Sequence, residues 1–218
     1  MIRIGVLGTG DVGRTLARGL AAIGHPVMIG TRDPGKQDLV DWQQDADGDV
    51  QLGTFSDAAG FGDLIVFAIG WSNVDAVIEL AGVAHFADKV LLDATNPLRF
   101  ETEGKPPVLE IGHSDSAGEY IQRQLPQAKV VKAFNIVGSP HMVNPEFPDG
   151  APDMFICGES EDAKTTTATL IESLGWPPPI DLGGIDNARN LEAMAMVWIK
   201  HFFNTEFQGT HAFKLLRK

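Results

Sequence analysis

Three glycines at the spacing Gly8-x-Gly10-x-x-Gly13 are the first residues of the chain whose pattern could do chemistry. They interrupt an alternating apolar run, Ile2, Ile4, Val6 and Leu7, and open residues 15–23, whose apolar positions recur at helical period. A strand that turns straight into a helix needs Gly8 for the turn, Gly10 so that a pyrophosphate can reach the backbone, and Gly13 so that helix and strand pack closely. The helix start then offers unpaired N–H groups and its positive dipole end to an anion. The expected phosphate cradle is Gly8, Thr9, Gly10, Asp11 and Val12. Glycine-rich turns are common, so the motif alone is weak; a second strand over residues 25–30 completes a unit of the right size and strengthens it.

A second set of groups, Thr31, Arg32 and Lys36, follows that second strand. An NAD site usually places a carboxylate there for the ribose 2′-hydroxyl, whereas an NADP site needs cations and hydroxyls for a 2′-phosphate. Arg32 offers a planar fork matched to phosphate oxygens, Lys36 a second charge and Thr31 a hydroxyl. This predicts NADP(H). Two alternatives stay open: Arg32 and Asp33 as solvated turn charges with Lys36 starting the next helix, or a shift by one residue that brings Asp33 to the ribose and favours NAD.

Three further groups fall at predicted strand ends, where ligands bind if the strands line one crevice. The apolar run 63–69 delivers Ala68, Ile69, Gly70 and Trp71, the last either a cofactor wall or a cap on the core. Asn96, before Pro97, is placed to hydrogen-bond a nicotinamide ribose or carboxamide, although Asn-Pro also marks plain turns. Phe134, Asn135, Ile136, Val137 and Ser139 follow the sixth strand, where a flat aromatic substrate could stack over the nicotinamide, with the alternative open that Phe134 is core and leaves Asn135 and Ile136 at the ring. No Ser-His-Asp set or lysine base is apparent. Hydride transfer between two cofactors needs little proton chemistry, so none is required.

The elements that must position these groups alternate. Strands are expected over 50–53, 63–69, 89–93, 129–133, 153–157 and 180–182, and helices over 37–47, 56–59, 74–80, 116–125, 161–174 and 186–203, with a polar surface loop over 99–113. Two βαβ halves in series make an α/β fold, a doubly wound, Rossmann-type, mostly parallel sheet with a short C-terminal helical addition. Residues 1–184 form the expected nucleotide-binding domain and 185–218 a helical segment packed on it. The stripe of Leu191, Met194, Ala195, Val197, Trp198 and Phe202 reads as core or dimer seam. With Phe207 and Phe213 in the tail, it leads us to expect a homodimer.

Composition sets the outer limits. The chain has 218 residues, 44% hydrophobic and 21% charged, enough for one substantial core. A net charge of −12 argues against nucleic-acid and anionic-membrane partners, which call for basic patches. The single cysteine, Cys157, provides neither a disulfide nor a zinc-binding thiolate cluster, and no bound metal is expected. With no apolar span and no leader pattern, the expectation is a soluble cytoplasmic protein.

With these motifs placed, the chain resembles the family of NADP oxidoreductases described as coenzyme F420-dependent, which includes archaeal deazaflavin:NADPH oxidoreductases. It is also similar to the cytosolic domain of six-transmembrane ferric reductases. The resemblance rests on IGVLGTGDVG, TRDP, LLDATNPL, VVKAFNIVGS, the run 181–184 and the run 188–192. It implies NADPH held by residues 8–12 with Thr31 and Arg32, and hydride exchange with a small-molecule acceptor, flavin or coenzyme F420, near residues 134–139. Archaeal deazaflavin enzymes carry histidine where this chain has Asn135, and Phe134-Asn135 is closer to the ferric-reductase domains. The runner-up readings are a reductase of a small imine or hydroxy acid and a non-catalytic NADP-sensing module.

Overall fold

Near-continuous apolar runs in short strands dictate a sheet covered on both sides, and that is what the computed structural model of the protein contains. It describes residues 1–206 and 208–216. Among the described residues ten strands run in chain order: β1 (Ile4–Leu7), β2 (Val27–Thr31), β3 (Val50–Thr54), β4 (Leu64–Phe67), β5 (Val90–Asp93), β6 (Leu98–Arg99), β7 (Val108–Leu109), β8 (Lys129–Lys132), β9 (Phe155–Gly158) and β10 (Ile180–Asp181). Interspersed with them, among the same residues, are seven α-helices: α1 (Asp11–Ala22), α2 (Gln37–Gln44), α3 (Phe55–Phe61), α4 (Val74–Ala81), α5 (Ala117–Gln124), α6 (Glu161–Ser173) and α7 (Ala188–Asn204).

The main sheet has the order β10-β9-β8-β5-β4-β1-β2-β3. It is parallel from β3 to β8, and only β9 runs antiparallel to its neighbour β8. Strand order reverses between β1 and β4, so the chain leaves these two strands in opposite directions along the sheet and opens a crevice at their carboxyl ends. Ile4, Val6, Val66, Leu92 and Val131 face one core with Leu16 and Leu20 of α1 and Leu170 and Ile171 of α6. Leu7, Ile65, Phe67, Leu91 and Val130 face the other with residues of α3, α4, α5 and α7.

Residues 99–113, expected as a surface loop, instead include most of a small hairpin in which Leu98 pairs with Leu109 and Arg99 with Val108. Strands of two residues are too short to show alternation, so the pairing left no periodic signal. The α7 stripe divides. Leu191 and Ala195 are buried at its start, whereas Val197 is exposed. Further along, Trp198 stacks on Phe202 and His211, and its indole N–H donates to the His211 carbonyl at 2.8 Å, holding the C-terminal tail. Phe213 lies in that tail, where its carbonyl accepts from the Asp153 N–H at 2.9 Å; Phe207 falls outside the described residues.

Candidate active site

The β1–α1 turn assigns the three glycines three different physical roles. Gly8 has φ +124°, and a Cβ there would meet the Ala68 carbonyl oxygen at 2.1 Å. Gly13 lies in the first turn of α1, where a Cβ would meet the Gly8 oxygen at 2.1 Å. Both are required by the protein's own packing. Gly10 differs: its φ of −74° is open to any residue, and a Cβ would meet nothing within 4 Å. The space it leaves is in the crevice. Gly10 is also the N-cap of α1 and has no side chain to satisfy the first N–H groups, which leaves them to an anion. Arg14 braces the turn from behind, donating to the Thr9 carbonyl at 2.8 Å.

Thr31 and Arg32 leave β2 on the edge of the same cleft. The Arg32 guanidinium is exposed and has no hydrogen bond or ion pair among the described residues. Asp33 is turned away: its Oδ1 accepts the Gly35 N–H at 3.0 Å in an Asx turn, and it does not line the cleft. Lys36 does not line the cleft either. It sits at the N-cap of α2 and pairs with Asp38 at 3.1 Å, and Asp38 also takes Arg14 at 2.9 Å. These cations hold the Asp38 carboxyl below its usual range, the Lys36 bond first.

Ala68, Ile69 and Gly70 follow β4 and, with Gly10, line both parts of a continuous cleft. The inner part, ≈ 200 Å³, runs from Gly8 and Arg32 to Val77 and Leu80 of α4. The outer part, ≈ 450 Å³, runs from Asp11 and Val12 past Trp71 to Asn96 and Ser139. Together they match the size of an ordinary small-molecule site. Trp71 lines the outer part with its ring held edge-on by Tyr120 at 5.3 Å.

Past β5 the Asn96 loop is held from two sides. Asn96 Nδ2 donates to the Asn135 carbonyl at 2.8 Å, and Asn135 Nδ2 donates back to Asn96 Oδ1 at 2.9 Å. Beneath it, Asp93 Oδ1 accepts the Thr95 N–H at 2.9 Å and the Lys132 ammonium donates to the Thr95 carbonyl at 2.8 Å. Lys132 is fully buried and pairs with Asp93 at 2.7 Å and Glu192 at 2.8 Å. Glu192 also accepts the Ala117 and Gly118 N–H groups at the start of α5, at 3.0 and 3.1 Å. Burial lowers the Lys132 pKa, but the two carboxylates outweigh it and hold the amine above its ordinary value. The cluster therefore joins α5, α7, β5 and β8 under the Asn96 loop.

The run after β8 is mostly interior. Phe134, Ile136 and Val137 are buried, and Asn135 is turned onto Asn96 as described. Phe134 has φ 62°, a left-handed conformation that directs its ring into the core, edge-on to Trp176. Of the five residues expected to meet an acceptor, Ser139 alone lines the outer cleft. Burial pushes the Cys157 thiol up to about 12, which removes it as a nucleophile. Among the described residues no group of His, Cys, Asp and Glu could hold a metal, and no helix is long and apolar enough to cross a membrane.

Sequence reasoning gave no site role to Asp93, Thr95, Lys132 and Glu192, although the motifs behind the resemblance contain all four, nor to Asn73, Val77 and Leu80 of the inner cleft or Leu98 and Phe100 of the outer cleft. A lysine ending an apolar strand was the one available signal for the ion cluster. Two observations fit a bound dinucleotide: the open space at Gly10 and the unpaired Arg32 on the same cleft. Thr95 also lines the outer cleft, and its buried hydroxyl has no hydrogen-bond partner among the described residues.

Fold and cleft together define a Rossmann-type dinucleotide-binding domain. The family described as NADP oxidoreductase coenzyme F420-dependent matches residues 3–97. A crystal structure from Arthrobacter sp. FB24, provisionally named as an F420-dependent NADP reductase, superposes with a TM-score of 0.92 at 39% identity and covers 100% of both chains. An F420-dependent NADP reductase of Methanothermobacter marburgensis is 30% identical over 207 residues, 91% of each chain. Metalloreductase STEAP3 of Rattus norvegicus is 29% identical over 195 residues, 89% of this chain and 36% of its own length. The chain thus spans only about that third of the metalloreductases. It belongs to the F420-dependent NADP oxidoreductase family.

Proposed function

We propose that the protein transfers hydride between NADP(H) and a flavin-like or deazaflavin ring, with the dinucleotide along the cleft from Arg32 to Asn96. NADP(H), when bound, supplies or takes up the hydride at its nicotinamide ring. The N–H groups after Gly10 hold the pyrophosphate, Thr31 and Arg32 hold the 2′-phosphate, and the paired Asn96 and Asn135 fix the loop beside the nicotinamide. Ile69 and Val12 exclude water from that end of the cleft. Residues 1–184 act in this reading as the cofactor-binding unit, with the segment from 185 onward packed on it through Glu192.

The observation that carries the reading is Arg32, a cation on the cleft edge with no hydrogen-bond or ion-pair partner among the described residues. Arg32→Ala is expected to weaken NADPH by about 1.5–3 kcal/mol, the loss of a charged hydrogen bond, while NADH changes little. Calorimetry with both nucleotides checks this, and equal losses for the two would reject the 2′-phosphate assignment. We also propose a homodimer, supported by the exposed Val197 on α7 and the exposed Leu215 and Leu216 in the C-terminal tail. Light scattering at micromolar concentration should give twice the 23.5 kDa chain mass; a single-chain mass would refute the assembly.

A further inference from the structure

We propose that Glu192 of α7 is a positioning residue for the hydride step: through the Lys132 ammonium it fixes the Thr95–Asn96 loop and so the reaction geometry at that end of the cleft. The inference rests on NADP(H) lying along the cleft as proposed above. It goes beyond that reading by giving a kinetic consequence to a helix that lines neither part of the cleft.

An ammonium carries three N–H donors and no acceptor, so three acceptors fix its direction. Among the described residues Lys132 has three: Asp93 Oδ2 at 2.7 Å, the Thr95 carbonyl at 2.8 Å and Glu192 Oε1 at 2.8 Å. Two of these belong to β5 and the loop being held, and Glu192 is the leg that comes from elsewhere in the fold. The Thr95 N–H donates to Asp93 Oδ1 at 2.9 Å, so both backbone groups of Thr95 are committed to the cluster. Ala94, Thr95 and Asn96 line the outer cleft. A shift of the ammonium therefore becomes a shift of the cleft wall.

Glu192 is itself anchored. Its two oxygens accept the Gly118 and Ala117 N–H groups in the first turn of α5, at 3.1 and 3.0 Å. That turn approaches so closely because residue 118 is glycine: a Cβ there would lie 2.8 Å from the Ala188 Cβ and 3.4 Å from Lys132 Cε. Stability alone accounts poorly for such a cluster, since exchanging a whole buried ion cluster for well-packed apolar groups is often neutral or stabilising. What charges at hydrogen-bonding distance add is a defined direction. Hydride transfer is the step that needs one, because a misplacement of about 1 Å can cost on the order of 100-fold in rate. The glycine turn and Arg32 lie in the β1–α1–β2 part of the chain and contribute nothing to the cluster, so cofactor affinity and reactivity should separate.

Steady-state oxidation of NADPH with coenzyme F420 and with riboflavin as acceptors, beside calorimetric titration of NADPH, tests the role. Glu192→Gln is expected to lower kcat about tenfold while the NADPH Kd stays within about twofold. Hydrogen exchange over residues 94–97 should quicken in the same variant. Glu192→Asp keeps the charge that compensates Lys132, but its shorter arm cannot meet the ammonium and α5 together. The same split is expected there at about threefold, and this variant carries the test if the glutamine variant does not fold. Ala195→Gly loosens α7 at a buried position outside the cluster, and is expected to lower thermal stability and leave kcat unchanged. An unchanged kcat or unchanged loop exchange in the folded Glu192 variants overturns the positioning role and leaves the NADP site standing. So does an equal loss of kcat in Ala195→Gly, or an NADPH affinity that falls in step with kcat. NADPH bound by the parent protein with neither acceptor reduced overturns the hydride-transfer reading, and the positioning role with it.

Discussion

Lys132→Met is expected to lower folding stability by about 3–5 kcal/mol, the range for removing one partner of a buried ion pair. The methionine keeps most of the packing volume, so little of the loss is a cavity. What it leaves is two carboxylates, Asp93 and Glu192, buried on either side of an apolar group. Glu192 retains the Ala117 and Gly118 N–H groups, but Asp93 Oδ2 has no partner except the ammonium. Burial already pushes the Glu192 carboxyl up against the pull of Lys132, and without the ammonium that push is unopposed by any cation. Urea unfolding followed by far-UV circular dichroism checks the size, and a midpoint within error of the parent protein would refute it.

The pH dependence of this cluster has a defined sign. The folded Lys132 pKa lies above the ordinary 10.5, so its contribution is complete below that value and is lost as pH rises through the folded pKa. Stability between neutrality and pH 9 should therefore be insensitive to it. A second variant, Lys132→Met/Glu192→Gln, removes one of the stranded charges and should recover part of the loss. Recovery would separate electrostatic isolation from a packing defect.

The core of this fold was legible because it obeys simple periods. Continuous apolar runs such as residues 64–67 mark strands covered on both faces, and Pro126 after α5 marks a helix end. The glycine turn was legible because each glycine meets a local constraint or a local space. Tertiary placement was not. That Phe134 takes a left-handed backbone and turns inward depends on Trp176, more than forty residues away, and no local pattern states it. The hairpin of Leu98 and Val108 buries too little to be periodic, although it forms a wall of the cleft. The ion cluster of Lys132 was not legible because its two carboxylates come from β5 and α7, far from it in sequence. Lys36 looked like a phosphate ligand for the converse reason: Asp38, two residues on, takes up its charge.

Gly10→Ala is expected to cut NADPH affinity about 100-fold while leaving the fold intact. The two halves of that statement come from the same measurement of space. A Cβ at Gly10 meets no protein atom within 4 Å and the backbone φ is −74°, so alanine adopts the native conformation without strain. The methyl group then projects into the gap where the pyrophosphate must approach the N–H groups that open α1. Losing two charge-assisted hydrogen bonds of about 1.5 kcal/mol each gives about 3 kcal/mol, or roughly 100-fold. Gly13→Ala is the control. Its Cβ would lie 2.1 Å from the Gly8 carbonyl oxygen, a backbone atom that moves only with the turn, so thermal stability should fall before binding is even considered. Calorimetric titration with NADPH and thermal unfolding on both variants separate the roles. If Gly10→Ala binds NADPH as the parent does, the phosphates do not lie over this turn; if it unfolds as easily as Gly13→Ala, the open space at Gly10 is filled by the protein itself.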